Sequence, residues 1–332
     1  MVVLRYIPSR SLHYPSPVAA IGIFDGVHRG HQAILRRAVR RAKAIRGTPM
    51  AITFEPHPLA VLAPQYVPTM LLSLNQRLNC FAASGIRLAL VVPFTQSFSR
   101  WSPEAFVRRV LVERLRVREV VVGHDFGFGV GRSGSIDTLK AFGREFGFRV
   151  HVAPPFRLSG KRISSHQIRS IIQKGRVEQA ARLLGRPPTV VGRVVRGEGR
   201  GAKLGFPTAN IEEVEAGVLP PVGVYAVRVR VDGAACTYAG MANLGFRPTF
   251  TRSFPRKRES DPRFREDDKP LLEIHLFGVK HPLYGRRLEV AFLNYLRPER
   301  RFPSPQALAR QLARDARRAG YDAALHPPGG VV

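Results

Sequence analysis

The sequence predicts an α/β protein of two domains: a parallel sheet flanked by helices over residues 1–186, then an antiparallel β-barrel or sandwich over residues 187–332. Three observations carry that reading. A length of 332 residues suits two domains. In the first half, short apolar runs alternate with amphipathic helical stretches, the pattern of a parallel sheet covered on both faces. In the second half, apolar runs follow one another without helices between them, the pattern of an antiparallel barrel or sandwich.

The elements follow in order. Residues 17–24 (PVAAIGIF) form a buried strand that ends at Asp25-Gly26, a turn signal. In residues 31–46, Ile34, Leu35, Ala38, Val39, Ala42 and Ile45 make one helical stripe. Strands at 50–54, 87–92, 117–122 and 149–153 then alternate with helices at 74–84, 102–115 and 136–146. The helix at 102–115 opens Ser-Pro-Glu, an N-cap with Pro in the first turn. Helical stretches at 164–173 and 177–184 lead to Gly185-Arg-Pro-Pro-Thr, where the pattern changes. Strands at 190–195, 223–231, 236–243, 271–277 and 288–296 come next, and a helix over 304–319 carries Leu308, Leu312 and Ala316 in phase. Residues 251–270 fit neither half. They hold 7 basic and 5 acidic residues and no apolar period, so they are expected to be a disordered insertion.

Hydrophobic residues make up 44% and charged residues 23%, which excludes disorder across most of the chain. Two cysteines, Cys80 and Cys236, are too few for a disulfide framework or a Cys-based zinc site. With no signal-peptide core and no apolar run of about 18 residues, the expected location is the cytoplasm, away from membranes. The unusual number is the net charge of +29. Residues 1–186 carry 29 basic and 9 acidic residues, and residues 187–332 carry 24 and 15. That favours acidic partners. No nucleic-acid motif accompanies the charge, so nucleic acid is not expected as the primary partner. Arginine supplies 45 of the 53 basic residues, a bias that a GC-rich genome would also produce.

The strongest local signal is Gly22-Ile-Phe-Asp-Gly-Val-His28-Arg-Gly-His31. A strand ends, Gly26 and Gly30 permit a tight turn, and a helix starts at about Gly30 with its free N–H groups facing a ligand. Such an end binds phosphate. His28 and His31, three apart, sit at that end as hydrogen-bond donors. Ligands of parallel sheets collect at the carboxyl ends of the strands, where this turn lies.

This string resembles the GxFDGVHxGH form of the HxGH signature in bacterial FAD synthetases of the nucleotidyltransferase superfamily. Phe54-Glu-Pro-His-Pro58 is similar to their FDPHP segment, with Glu55 in place of Asp. Val122-Gly-His-Asp-Phe-Gly-Phe-Gly129 resembles VGxDFxFG, and Ile163-Ser-Ser-His-Gln-Ile-Arg169 resembles ISSTxIR, with His166 in place of Thr. The resemblance implies a Rossmann-like domain in which an FMN phosphate attacks the α-phosphate of ATP. By the same resemblance, His28 and His31 stabilise the α-phosphate, and Ser164, Ser165 and Arg169 hold the phosphates that leave as pyrophosphate. Gly22, Phe24, Asp25, Gly26 and Gly30 complete the ATP-binding set, and Phe126 and Phe128 meet the flavin. Asp125 is read equally as a flavin contact or a turn residue, and His57 equally as functional or as a turn residue.

In the second half, Gly197-Glu-Gly-Arg-Gly-Ala-Lys-Leu-Gly-Phe-Pro-Thr-Ala-Asn210 is glycine-rich. Its N–H groups can cradle phosphates, and Thr208 and Asn210 offer oxygens to a hard cation such as Mg²⁺. The string resembles the ATP-binding segment of riboflavin kinases. Further similarities lie at Gly223–Tyr225, Asn243–Thr249, Leu272–Phe277, Leu283–Gly285 and Leu296–Phe302. They imply that Gly199, Gly201, Gly205, Pro207, Thr208 and Asn210 bind ATP, with Thr208 and Asn210 on Mg²⁺. Glu273 is then the base that takes the ribityl hydroxyl proton, and Asn243 meets the flavin. Arg297 is read equally as a flavin or phosphate contact or as half of a surface ion pair. Gly278-Val279 departs from the family's Asp-Phe. The insertion resembles translated repeat elements of some bacterial genes, and lengthening a turn by it costs only about 1.6 kcal/mol of closure entropy.

Together the motifs resemble the bifunctional bacterial riboflavin kinase/FMN adenylyltransferase family over about 300 residues. Riboflavin, FMN and ATP are the implied partners, and retention of only one of the two activities is the alternative.

Overall fold

The computed structural model describes residues 1–158, 160–197, 206–234, 236–247, 269–279, 282–300 and 302–320. Two compact units result, one of residues 1–168 with 183–185 and one of residues 169–182 with those from 186 onward.

The first unit is built on six parallel strands: β1 (Val2–Leu4), β2 (Val18–Ile21), β3 (Pro49–Glu55), β4 (Leu88–Pro93), β5 (Glu119–Gly123) and β6 (Arg149–Ala153). Their order is β1-β4-β3-β2-β5-β6. The chain therefore steps outward from β2 in both directions, and the order reverses between β2 and β5. A crevice opens at such a reversal, at the carboxyl ends of the strands. The strands read as continuous apolar runs because both faces are covered. Ala19, Ile21, Ile52, Leu90 and Val122 pack to one side, and Val18, Ala20, Ala51 and Val121 to the other.

The helices begin where capping chemistry allows. α1 (Arg29–Ala44) starts at His28. α2 (Leu74–Ala83) starts in a capping box between Ser73 and Gln76. α3 (Pro103–Phe106) is capped by Ser102. The helix expected over 102–115 is present: α3 continues as a π-helix across Val107–Arg114. Val107, Val110 and Leu111 still reach the core. α4 (Ile136–Phe146) is capped by Ser135 and ends at Gly147 in the left-handed conformation. The pair β7 (Arg157–Leu158) and β8 (Lys161–Arg162) precedes α5 (Ser165–Gln173) and α6 (Val177–Leu184).

One polar group is built into this core. Glu119, at the amino end of β5, is 2% exposed and accepts from Arg41 Nε and Nη2 and from His151 Nε2, each at 2.8 Å. The Arg41 hydrogen bonds hold its carboxyl below the usual carboxylate range, with burial opposing and His151 assisting.

The second unit is an antiparallel sheet of seven strands: β9 (Thr189–Arg193), β10 (Ala209–Ile211), β11 (Val214–Ala216), β12 (Gly223–Val231), β13 (Thr237–Arg247), β14 (Lys269–Leu276) and β15 (Arg287–Arg297). They run in the order β10-β14-β13-β12-β15-β9-β11. An antiparallel bridge between Val195 and Asn210 brings the two ends together, so the barrel is nearly closed. Its interior holds Val190, Val227, Leu272, Ile274, Val290 and Phe292, and Val177 of α6 packs onto the same cluster. α7 (Pro305–Arg318), capped by Ser304, places Leu312 and Ala316 with Met241 and Phe277. Lys269 and Pro270, expected within the insertion, open β14 instead, and residues 251–268 lie outside the described residues.

Candidate active sites

In the first unit the chain leaves β2 and turns through three left-handed residues: Phe24 (φ 54°), Gly26 (φ 79°) and Val27 (φ 36°). Such a turn persists only when its surroundings over-determine it. Nearly every group in it is tied. Ile23 O accepts from Thr53 Oγ1 and Arg77 Nη1, each at 3.0 Å. Asp25 Oδ1 accepts from Leu71 N at 2.8 Å, and Asp25 O from Ser165 Oγ at 2.8 Å. Val27 O accepts from Gln32 Nε2 at 2.9 Å. A Cβ at Gly26 would stand 2.7 Å from Leu71 Cδ1, so glycine is required twice there, by space and by φ. Gly22 faces the Phe24 ring, where a Cβ would lie 3.2 Å away.

The turn delivers two histidines to the start of α1. His28 is the N-cap: its Nδ1 accepts from His31 N at 3.3 Å, which leaves the proton of the neutral ring on Nε2 as a donor. The two rings stack with centroids 3.7 Å apart. Gly30 gives the His28 ring its room, since a Cβ there would lie 3.0 Å from His28 Cε1. The Phe24 ring is 1% exposed and packs edge-on between His31 and Phe81, so the ring supports a histidine.

The other N-terminal motifs arrive at neighbouring strand ends. Glu55 ends β3 and His57 follows it. His57 Nδ1 accepts from Leu59 N, capping the short helix Pro58–Leu62. Asp125, Phe126 and Phe128 follow β5. Asp125 is exposed and pairs with Arg162. Phe126 stacks on Phe128, which is buried against Phe106. Ser164 caps α5 by accepting from Gln167 N at 3.2 Å, and Ser165 reaches the turn as described. Arg169, one helical turn further along α5, is partly buried.

The second unit places its residues by register. Asn210 pairs with Glu273 across β10 and β14, Glu273 with Asn243 across β14 and β13, Asn243 with Val224 across β13 and β12, and Val224 with Arg297 of β15. Residues directly opposite in an antiparallel pair share a face. Four of the expected site residues thus stand in one cross-strand row. Leu272 and Ile274, flanking Glu273, point into the barrel, so the row lies on its outer face. Asn210 is 6% exposed, and Gly197 leaves room for its amide. His275, two residues from Glu273, donates from Nδ1 to Pro207 O at 2.8 Å, fixing the turn before Thr208. Burial lowers the His275 pKa against the opposing pull of that contact, which favours the neutral ring.

The FAD synthetase family profile matches residues 12–167, and the riboflavin kinase family profile matches residues 184–321. The bifunctional riboflavin kinase/FMN adenylyltransferase of Pseudomonas fluorescens is 39% identical over 304 residues, covering 90% of this chain and 92% of that protein. The chain belongs to the bifunctional riboflavin kinase/FMN adenylyltransferase family. Its member from Escherichia coli K12 is 37% identical over 298 residues, covering 90% of both chains. A crystal structure titled macrolide-efflux protein from Streptococcus pneumoniae matches 97% of this chain and 99% of its own, with a TM-score of 0.80 and 26% identity.

Within this family frame two contacts alter the sequence reading. Arg297 Nε donates to Asp315 Oδ2 at 2.8 Å, and the Asp315 side chain is fully buried. This ion pair is buried rather than at the surface, and it ties Arg297 to α7. Glu299, noticed in the sequence only as part of the Leu296–Phe302 string, accepts from Asn243 Nδ2 at 3.2 Å. A Cβ at Gly245 would lie 2.8 Å from Glu299 Oε1, so glycine makes that approach possible. Pro207 is exposed and Thr208 partly buried, while Gly199, Gly201 and Gly205 lie outside the described residues. Gly278, the departure from Asp-Phe, has φ 76° and serves as the left-handed turn after β14.

Proposed function

We propose that this chain performs both reactions named by its family, with the division between the two near residue 186. The barrel would phosphorylate riboflavin to FMN. Glu273 accepts the proton of the ribityl hydroxyl as its oxygen attacks the γ-phosphate of ATP, and ADP leaves. Asn243, held by Glu299, is placed to meet the flavin. The sheet unit would convert FMN to FAD. A phosphate oxygen of FMN attacks the α-phosphate of ATP, the bond to the β-phosphate breaks, and pyrophosphate leaves. His28 and His31 donate to the phosphate oxygens as charge builds, and the N–H groups at the start of α1 assist. Ser164 and Arg169 hold the leaving phosphates, while Ser165, committed to Asp25, holds the turn. Phe126 offers an aromatic face to the flavin.

Both reactions consume ATP and need a divalent cation. Thr208 and Asn210 would provide hydroxyl and amide oxygens, donors that fit hard Mg²⁺. Mg²⁺ held there would neutralise charge on the transferring phosphate. No described helix is long and apolar enough to cross a membrane. Neither Cys80 nor Cys236 is in a disulfide, in keeping with our reading of the cytosol as the working compartment.

The observation that carries this reading is convergence. Motifs scattered over about 150 residues reach the turn or the strand ends beside it, and Asn210, Glu273 and Asn243 stand in one cross-strand row. The test is incubation with riboflavin, ATP and Mg²⁺, followed by chromatography of the flavins. FMN and then FAD are expected. FMN alone, or FAD only from added FMN, would reduce the function to a single activity.

A further inference from the structure

We propose that Arg77 is a positioning residue for adenylyl transfer, locking the strand end that carries Ile23 to the strand end that carries Phe54 and Glu55. The proposal rests on reading the sheet unit as the FMN adenylyltransferase.

Arg77 projects from α2 and is 1% exposed, the largest fully buried side chain among the described residues. An arginine this buried is rare and costly unless its donors are met, and here the two terminal nitrogens find partners while the buried Nε has none. Nη1 donates to Ile23 O at 3.0 Å, Thr53 Oγ1 at 3.2 Å and Phe54 O at 3.5 Å, and Nη2 pairs with the Glu55 carboxylate. Burial pushes its pKa down, while Glu55 and Asp25 oppose that.

The contacts are informative because of where they lie. Ile23 O is the last carbonyl before the left-handed Phe24, so it sets how the strained turn leaves β2. Phe54 and Glu55 end β3, the strand paired with β2. One planar fork therefore fixes two motif-bearing strand ends at once. Lysine, a single point donor on a flexible stem, does not span that separation in the same way. Glu55 stands where the resembling FDPHP segment has Asp, and the longer side chain is the one that meets Arg77. Neither residue touches the reacting atoms in this account. They act through the turn, and a shift of that turn moves His28 and His31 together.

The test uses the full chain with Arg77→Met, Arg77→Lys and Glu55→Asp. FAD formation from FMN and ATP is read as kcat and KM, and FMN formation from riboflavin serves as a control for intact protein. Misplacement of a catalytic group by about 1 Å costs on the order of 10²-fold, and we expect that loss in kcat for Arg77→Met. KM for FMN and ATP is expected to change by less than about threefold, because the loss falls on the transition state. Arg77→Lys and Glu55→Asp should each lower kcat by roughly tenfold, a partial rescue set by how much of the fork remains. Wild-type kcat in Arg77→Met, or a loss confined to KM, overturns the proposal. If Arg77→Met fails to fold, wild-type kcat in both milder variants overturns it. Wild-type protein that forms no FAD would instead overturn the adenylyltransferase reading itself.

Discussion

The turn after β2 and the row across the barrel, the two sites we propose for ATP-dependent chemistry, are built by different means. The turn is made of backbone. Three left-handed residues aim His28 and His31, and hydrogen bonds from Thr53, Arg77, Leu71, Ser165 and Gln32 hold the strain. The row is made of side chains on an unstrained sheet, where register alone lines up Asn210, Glu273 and Asn243. The first should be sensitive to changes in backbone freedom and in distant clamps. The second should be sensitive to side-chain identity and tolerant of changes in the loops between strands.

The largest expected effect tests the row. Glu273→Ala should slow FMN formation by about 10²–10⁴-fold, the usual range for a general base, while FAD formation from supplied FMN stays at the wild-type rate. Steady-state rates of each half-reaction check this. The next tests the turn. Gly26→Ala places a Cβ against Leu71 at φ 79°, and should cost roughly 1–3 kcal/mol of stability. FAD formation should fall by about 10²-fold, in assays run below the melting temperature.

The third effect separates the units by pH. The Glu119 carboxyl is held below its usual value, so the unfolded chain binds the proton more readily. Its contribution is present above the ordinary carboxylate pKa of about 4.3 and is lost as pH falls through the lowered folded value. Glu119→Ala should destabilise the sheet unit by roughly 2–3 kcal/mol at neutral pH, near the lower end for a broken buried pair. Arg41, 33% exposed, limits the cost. Urea unfolding from pH 3 to 7 should show a shallower acid slope in the variant. The smallest effect tests the insertion, which we treat as a passenger. Deleting residues 251–268 should leave FMN formation near the wild-type rate and add at most about 1.6 kcal/mol of stability. A large loss of activity would give those residues a role.

Much of this arrangement was legible before any coordinates. The apolar runs of the parallel strands and the stripes of α1 and α7 stand where their periodicity put them, because each element buries enough surface to leave a pattern. β1, β10 and β11, each of three residues, are too short to leave one. The motif strings identified His28, His31, Asn210 and Glu273, yet motif membership does not separate contact from support. Phe24 belongs to the signature and turns out to be core, and Arg297 belongs to one and holds α7. Arg77 and Glu299 were hidden for the opposite reason. A lone arginine in a helix and a glutamate after a proline look like solvated surface, and only the fold shows what they hold.

The central claim is that two separate sites act in sequence on one flavin. His28→Ala, incubated with riboflavin, ATP and Mg²⁺, tests it most directly when its flavins are separated by chromatography. The account predicts FMN accumulating at the wild-type rate with FAD formation abolished. A fall in FMN formation by the same factor as FAD formation would contradict it.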